Sequence, residues 1–175
     1  TYIEKDASIN DHIDQMRLSA TKALLERKDT IIVATVSAIY GLGDPAAYHG
    51  MILHLRQGGL AEQRDILRRL SELQYTRNEI DLRRGTFRVR GDVIELWPSY
   101  ESFGIRFEFF GDEVERISYI NTVSCETLAD ETQVFIYPAK HYVMPAERIE
   151  QGVESIQAEL EDRLIELKHE GKLLE

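Results

Sequence analysis

Residues 86–97, TFRVRGDVIELW, constrain this chain more than any other stretch. Apolar and polar residues alternate on both sides of Gly91-Asp92, as in β-strands with one buried face. Gly-Asp is a two-residue hairpin signal, with glycine first as a type II′ turn prefers. Such a turn pairs Arg90 with Val93, Val89 with Ile94, Arg88 with Glu95 and Phe87 with Leu96. Directly opposed residues share a face. Phe87, Val89, Ile94 and Leu96 therefore form an apolar side, while Arg88, Arg90 and Glu95 lie on the other, followed by Trp97. The segment IRFEFF repeats the pattern, Ile105, Phe107 and Phe109 alternating with Arg106 and Glu108. Joined to the same sheet, it completes the buried side and sets Arg106 and Glu108 beside Arg88 and Arg90. The expectation is a rigid, outward plane of three arginines and two glutamates, bordered by an indole.

Around this hairpin the chain predicts an α+β fold, an antiparallel β-sheet domain with packed helices. Strands are expected over 86–90, 93–97, 105–110 and 113–120. A helix over 60–75 precedes them, with Leu60, Ile66, Leu67, Leu70 and Leu73 at helical spacing. Upstream, 10–28 reads as a helix capped by Asn10, with Ile13, Met16, Ala20 and Leu24 along its apolar stripe. Ile31-Ile32-Val33-Ala34 reads as a short strand buried on both faces of a parallel sheet. Gly41, Gly43, Asp44 and Pro45 then punctuate the chain. Helix, buried strand and glycine loop look like one slice of an α/β sheet, and one slice cannot close a domain. From Pro145 onward, Ile149, Val153, Ile156, Leu160, Leu164 and Leu167 describe an amphipathic helix with an acidic outer face, which Gly171 ends. The first residue is Thr1 rather than methionine, and the last residues fall within a helical pattern. A piece of a longer chain is expected, in three parts: 1–50, 51–138 and 139–175.

Charge narrows the functional classes. A formal net charge of −10 argues against a surface that grips nucleic acid throughout. The balance is uneven, however. Residues 61–90 hold eight arginines against five acids, and residues 146–175 hold nine acids against four basic residues. No run approaches the roughly 18 apolar residues of a membrane span, and no export signal opens the sequence. A membrane partner is not expected. Cys125, the single cysteine, cannot form an internal disulfide, which fits a reducing, cytoplasmic setting. His12, His49, His54, His141 and His169 do not pair with one another or with the cysteine, so no metal site is expected.

The plain reading of the arginine face is a solvated sheet with cross-strand ion pairs, each worth about 0–1 kcal/mol. Two features favour a binding surface. No lysine occurs between Lys28 and Lys140, and the planar guanidinium fork suits specific recognition better than solubility requires. Glu95 and Glu108 among the arginines also favour a protein partner, because a phosphate-gripping surface gains nothing from interleaved carboxylates.

The segments TYIEKDASIN, SATKALLER, VSAIYGLGDP, QYTRNEIDLRRGTFRVRGDVIELWP and EFFGDEVERI, with the closing GKLLE, resemble the UvrB family of bacterial nucleotide-excision-repair proteins. The resemblance covers essentially the whole sequence. A related module in transcription–repair coupling factors shares the RG-x-F-x-x-RG and EFFGDE patterns but lacks the flanking IEKDASIN and SAIYGLG segments, and is the lesser match. The family is a damage-verifying, helicase-like ATPase, delivered to lesions by UvrA and followed by the nuclease UvrC. By that resemblance, residues 1–50 are the end of a motor subdomain, 51–138 an inserted UvrA-docking domain, and 139–175 the return to the motor. The family's UvrA contacts correspond to Arg77, Arg88, Arg90, Arg106 and Glu108. Four of them are on the face derived above by counting strands; Arg77 rests on the resemblance alone. Lys5, Arg17, Ser37 and Tyr40 fall in segments that the family keeps near DNA, with surface charge and strand-end packing as the plain alternatives.

The family's ATPase needs a phosphate loop of the G-x-x-x-x-G-K-[ST] type and a carboxylate for Mg²⁺. The sequence carries neither, so ATP and Mg²⁺ belong to the parent protein and no cofactor is expected here. Gly41-Leu42-Gly43 reads as a turn. Glu161 and Asp162 are adjacent on a solvated helix, whereas acid–base chemistry needs converging groups in a pocket. No catalytic residue is expected. Three functional readings follow: a module that docks on UvrA, a nucleic-acid-binding module using the same arginines, and an autonomous enzyme, which the missing loops disfavour.

Overall fold

Alternation does in the centre of the chain what its period requires. In the computed structural model, which describes residues 10–39, 45–141 and 146–172, β3 (Thr86–Arg90) and β4 (Val93–Trp97) form a hairpin in the expected register, Arg90 opposite Val93 and Phe87 opposite Leu96. Gly91 carries φ +60, the left-handed conformation that the first turn position needs and that costs glycine nothing. A second Gly-Asp turn, with Gly111 at φ +61, joins β5 (Gly104–Phe110) to β6 (Glu113–Ile120). With β2 (Thr76–Arg77) and β7 (Thr127–Glu131) these strands make a six-stranded sheet in the order β2-β3-β4-β5-β6-β7. Every pairing is antiparallel except β2 with β3.

The apolar side of this sheet is the core. Phe87, Ile94, Leu96, Ile105, Phe107 and Ile117 are buried there and meet Ile66, Leu70 and Leu73. Each such side chain contributes about 1.5–3 kcal/mol by leaving water. Ile66 and Leu70 come from α3 (Gln63–Glu72), which is shorter than the predicted 60–75. Leu60 lies outside it, exposed, in an isolated bridge to Glu113. The helix closes with Gln74 at φ 67, its N–H bonded to Ser71 O and that of Tyr75 to Leu70 O. This is the Schellman ending, here with glutamine where glycine is usual. β1 (Leu53–Arg56) and β8 (Gln133–Ile136) form a separate two-stranded antiparallel sheet whose Leu55, Val134 and Ile136 join the same core.

The first helix, α1 (Asp11–Glu26), starts where predicted, with Asn10 Oδ1 accepting from the His12 and Ile13 amides. Its docking differs from the expected stripe. Leu18 is its buried residue, while Ile13, Met16 and Leu24 are exposed. Polar contacts hold it to the sheet domain. Ser19 Oγ donates to the Tyr100 carbonyl, Lys22 bonds Glu101 at 2.8 Å, and the Tyr137 hydroxyl donates to Glu26 at 3.0 Å. Ile31–Ala34, expected as a doubly buried strand, is neither strand nor buried; Ile31 is 91% and Val33 95% exposed. A strand buried on both faces needs ladder partners and covering helices, and no described strand pairs with it. Instead Ile32, Val33 and Val36 line an open apolar cleft with Ile13, Met16 and Leu24 of α1. A 3₁₀ turn (Val36–Ile39) and α2 (Pro45–Gly50) complete this part.

The described residues 146–172 belong to a unit of their own. α4 (Ala146–His169) matches the amphipathic pattern, and Gly171, at φ +72, ends it with Lys172 N bonded to Leu167 O and Gly171 N to Lys168 O. Ile149, Val153, Ile156, Leu160 and Leu164 are exposed along it.

Candidate functional site

Register alone aligns the polar side of the large sheet into two rows. One runs Arg88, Glu95, Arg106, Ser118, Asp130 across β3 to β7, and the other Arg90, Val93, Glu108, Arg116 across β3 to β6. Arg88, Arg90, Arg106 and Glu108 thus share the expected face. It is not the open plane expected of it. Arg88 is 8% and Glu95 5% exposed. Glu95 sits between two guanidiniums: Arg88 Nε donates to Oε2, and Arg106 donates to Oε1 through Nε at 2.9 Å and Nη2 at 2.6 Å. The cover is the turn Asn121–Glu126. Arg88 Nη2 donates to Cys125 Sγ at 3.2 Å and Arg106 Nη2 to the Cys125 carbonyl at 3.0 Å. Asn121 shapes this turn, its Oδ1 accepting from the Val123 and Ser124 amides at 2.8 and 3.0 Å, and Cys125 adopts φ 60. Strand counting sees pleats and cannot see a turn folding back over them.

Electrostatics follow from this burial. Desolvation alone would push the Glu95 carboxyl up, but the bonds from Arg106 and Arg88 outweigh it and hold the group below its ordinary value. Arg88 shows the mirror case: desolvation would lower it, and Glu95 with Cys125 raises it. Both directions keep the pair ionised inside the protein.

The open part of the face lies farther along the rows. Arg90 is exposed and Glu108 half-buried. Arg116, which strand counting did not single out, reaches Glu108 at 3.6 Å and grips Asp130 with Nε and Nη2 at 2.9 and 3.1 Å. The alternation of residues 116–119, RISY, carried the signal for it. Arg77 lies in β2, one strand beyond β3, exposed and paired with Glu79. The second oxygen of Glu79 accepts the Val89 amide at 3.1 Å, which satisfies a donor on β3. Arg77 foremost, then that amide, and more weakly Arg90 hold the Glu79 carboxyl below its ordinary value.

The remaining arginines of the 83–90 cluster have local partners. Arg83 pairs with Asp81 at 2.6 Å, and the Arg84 guanidinium lies 5.7 Å from the Trp97 ring centre. Trp97 is half-buried and its indole N–H donates to the Glu101 carbonyl, so it is not the free aromatic border expected. Phe110, at the end of β5 opposite Glu113, is exposed instead. Of the residues expected near DNA, Arg17 is exposed on α1 and the Ser37 backbone lies in the 3₁₀ turn. Lys5, Tyr40 and the Ser37 side chain lie outside the described residues.

The geometry defines a domain that displays a charged, pre-ordered sheet face, with four guanidiniums (Arg88, Arg90, Arg106, Arg116) interleaved with three carboxylates (Glu95, Glu108, Asp130). The segment that carries both sheets and this face, residues 53–142, matches the UvrB interaction domain family. Along its full length the chain is 55% identical to UvrABC system protein B of Coxiella burnetii, and 57% and 56% identical to the proteins of that name from Legionella pneumophila and Pseudomonas aeruginosa. Each match takes 100% of this chain and 26% of the relative. The chain belongs to the UvrB family and spans about a quarter of the length of these relatives.

Proposed function

We propose that this chain is the segment of an excision-repair protein that docks onto UvrA, through the sheet face of β3 to β6. Residues 51–138 form the docking domain in this reading. The observation that carries it is the interleaving of ordered, opposite charges on a rigid sheet. Such a surface suits a protein partner with its own pattern of charges. The rival reading, phosphate binding, is disfavoured by Glu108 and Asp130, which would meet a phosphate backbone with repulsion. Roles within the set follow burial. Arg90, Glu108 and the accessible edge of Arg106 touch the partner, with exposed Phe110 as an apolar anchor beside them, and Arg77, in register with Phe87 rather than with the polar rows, reaches it from the sheet edge. Arg88 acts from inside.

The remaining parts of the proposal concern the parent protein: a helicase-like ATPase using ATP and Mg²⁺, working with UvrC on damaged DNA in the cytoplasm. Lys5, Arg17, Ser37 and Tyr40 would lie near that DNA. This chain by itself would turn over no ATP. Among the described residues no helix is long and apolar enough to cross a membrane.

The test is a titration of labelled UvrA with the chain and with Arg90→Ala. A hot-spot arginine costs on the order of 2 kcal/mol on truncation, and an unchanged affinity removes the assignment. Gel shifts with DNA at two salt concentrations separate the rival, which requires tight binding at low salt that collapses steeply as salt rises.

A further inference from the structure

The geometry points to Glu95 as the positioning residue of this face, a role that rests on the docking reading and adds to it. Its carboxylate bonds both Arg88 and Arg106, one oxygen to each, and Cys125 touches the same two guanidiniums from above through its sulfur and its carbonyl. Two nitrogens of Arg106, Nε and Nη2, converge on the single oxygen Oε1, and Nη2 also bonds the Cys125 carbonyl, so the guanidinium is held at more than one point by charge-assisted bonds. Without that clamp Arg106 would keep only the Nη2 bond to the Cys125 carbonyl, and binding a partner would then carry more of the cost of ordering a long side chain.

Burial assigns the division of labour. The Glu95 side chain is 7% and Arg88 9% exposed, against 21% for Arg106. Arg106 alone of the three presents an appreciable edge outward. Arg88 holds the other oxygen of Glu95 and ties it to the Cys125 sulfur, so the carboxylate cannot swing away. The trio carries two positive charges on one negative, which leaves a net positive charge at the point where Arg106 emerges. The partner group that this point accepts is an acceptor, a carboxylate or backbone carbonyl. Glu95 makes no contact with that group itself and acts through Arg106.

The experiment uses the full chain with Glu95→Gln and Glu95→Asp, titrated against UvrA, with Arg90→Ala as the control on docking itself. The arginine Hε resonances are followed in parallel by ¹⁵N-edited NMR. Glutamine keeps the length of the side chain but replaces one acceptor by a donor facing a guanidinium. Glu95→Gln is expected to weaken UvrA binding about tenfold, in the range of interface positions that matter. The loss should persist on cooling, where a merely less stable fold would recover, and the Arg106 Hε signal should lose its protection from exchange. Aspartate keeps the charge but withdraws it by one methylene, and it decides the matter should the glutamine variant not fold. Wild-type affinity in a folded variant whose Arg106 Hε signal has moved overturns the positioning role, provided Arg90→Ala weakens binding. If Arg90→Ala leaves binding intact as well, the docking reading fails and takes this role with it.

Discussion

Glu95 illustrates how much one side chain can commit a structure to. A buried carboxylate is tolerated only when paired and hydrogen-bonded, and two arginines supply that. Its folded value is depressed below the ordinary 4.5. Its stabilisation is therefore complete above that value and lost as pH falls from it through the folded value. Denaturant midpoints measured across this acid range should fall more steeply for the native chain than for Glu95→Gln. Removing one partner of a buried pair costs about 3–5 kcal/mol, and the exposed edge of Arg106 places this case at the lower end. Identical acid limbs for the two proteins would show that the carboxylate is not ionised in the fold. Tyr100 is a second such residue. Its hydroxyl accepts the Tyr137 amide at 3.0 Å, and burial holds its ionisation far above the ordinary range. Tyr100→Phe leaves that amide unsatisfied in the core, and the unfolding free energy should drop by about 1–3 kcal/mol.

The elements show where local rules sufficed. The hairpin register, both Gly-Asp turns, the Asn10 cap and the end of α4 at Gly171 each follow from a few adjacent residues. At the close of α3, Gln74 sits in the left-handed region at φ 67, where a Cβ carries a cost that glycine avoids. Gln74→Gly should raise the thermal midpoint, by about 0.5–1 kcal/mol in stability; a lower midpoint would mean that its side chain holds the α3 end in place. The elements missed are instructive too. β7 reads TLADE, without alternation, because all but its last residue are exposed at the sheet edge. β1 and β2 are four and two residues long, too short for a period to register. Ile31–Ala34 has the composition of a buried strand, but composition cannot supply the neighbours that a ladder needs.

At the scale of the molecule, the match to the interaction domain family begins at residue 53, yet α1 is joined to that body. Leu18 belongs to the same core as Phe107, and Tyr137, Tyr100 and Glu101 bond to α1 side chains or face them across the contact. Deleting residues 1–27 should therefore lower the urea midpoint of the sheet domain, with a loss of about 2–4 kcal/mol for uncovering a Leu-sized contact and its polar partners. An unchanged midpoint would show that the helix contributes nothing to that domain. Most of the sheet and the membership of the arginine face were legible beforehand, because side-chain direction in a strand is set by a period of two. Whether those arginines stand free was not legible. The sequence by itself determined which residues share a face, since pleat and turn geometry act between neighbours. Only the tertiary structure decided that Arg88 and Glu95 lie beneath Cys125 while Arg90 and Arg116 remain outside, because cover depends on a turn some thirty residues away in the chain folding back over the sheet.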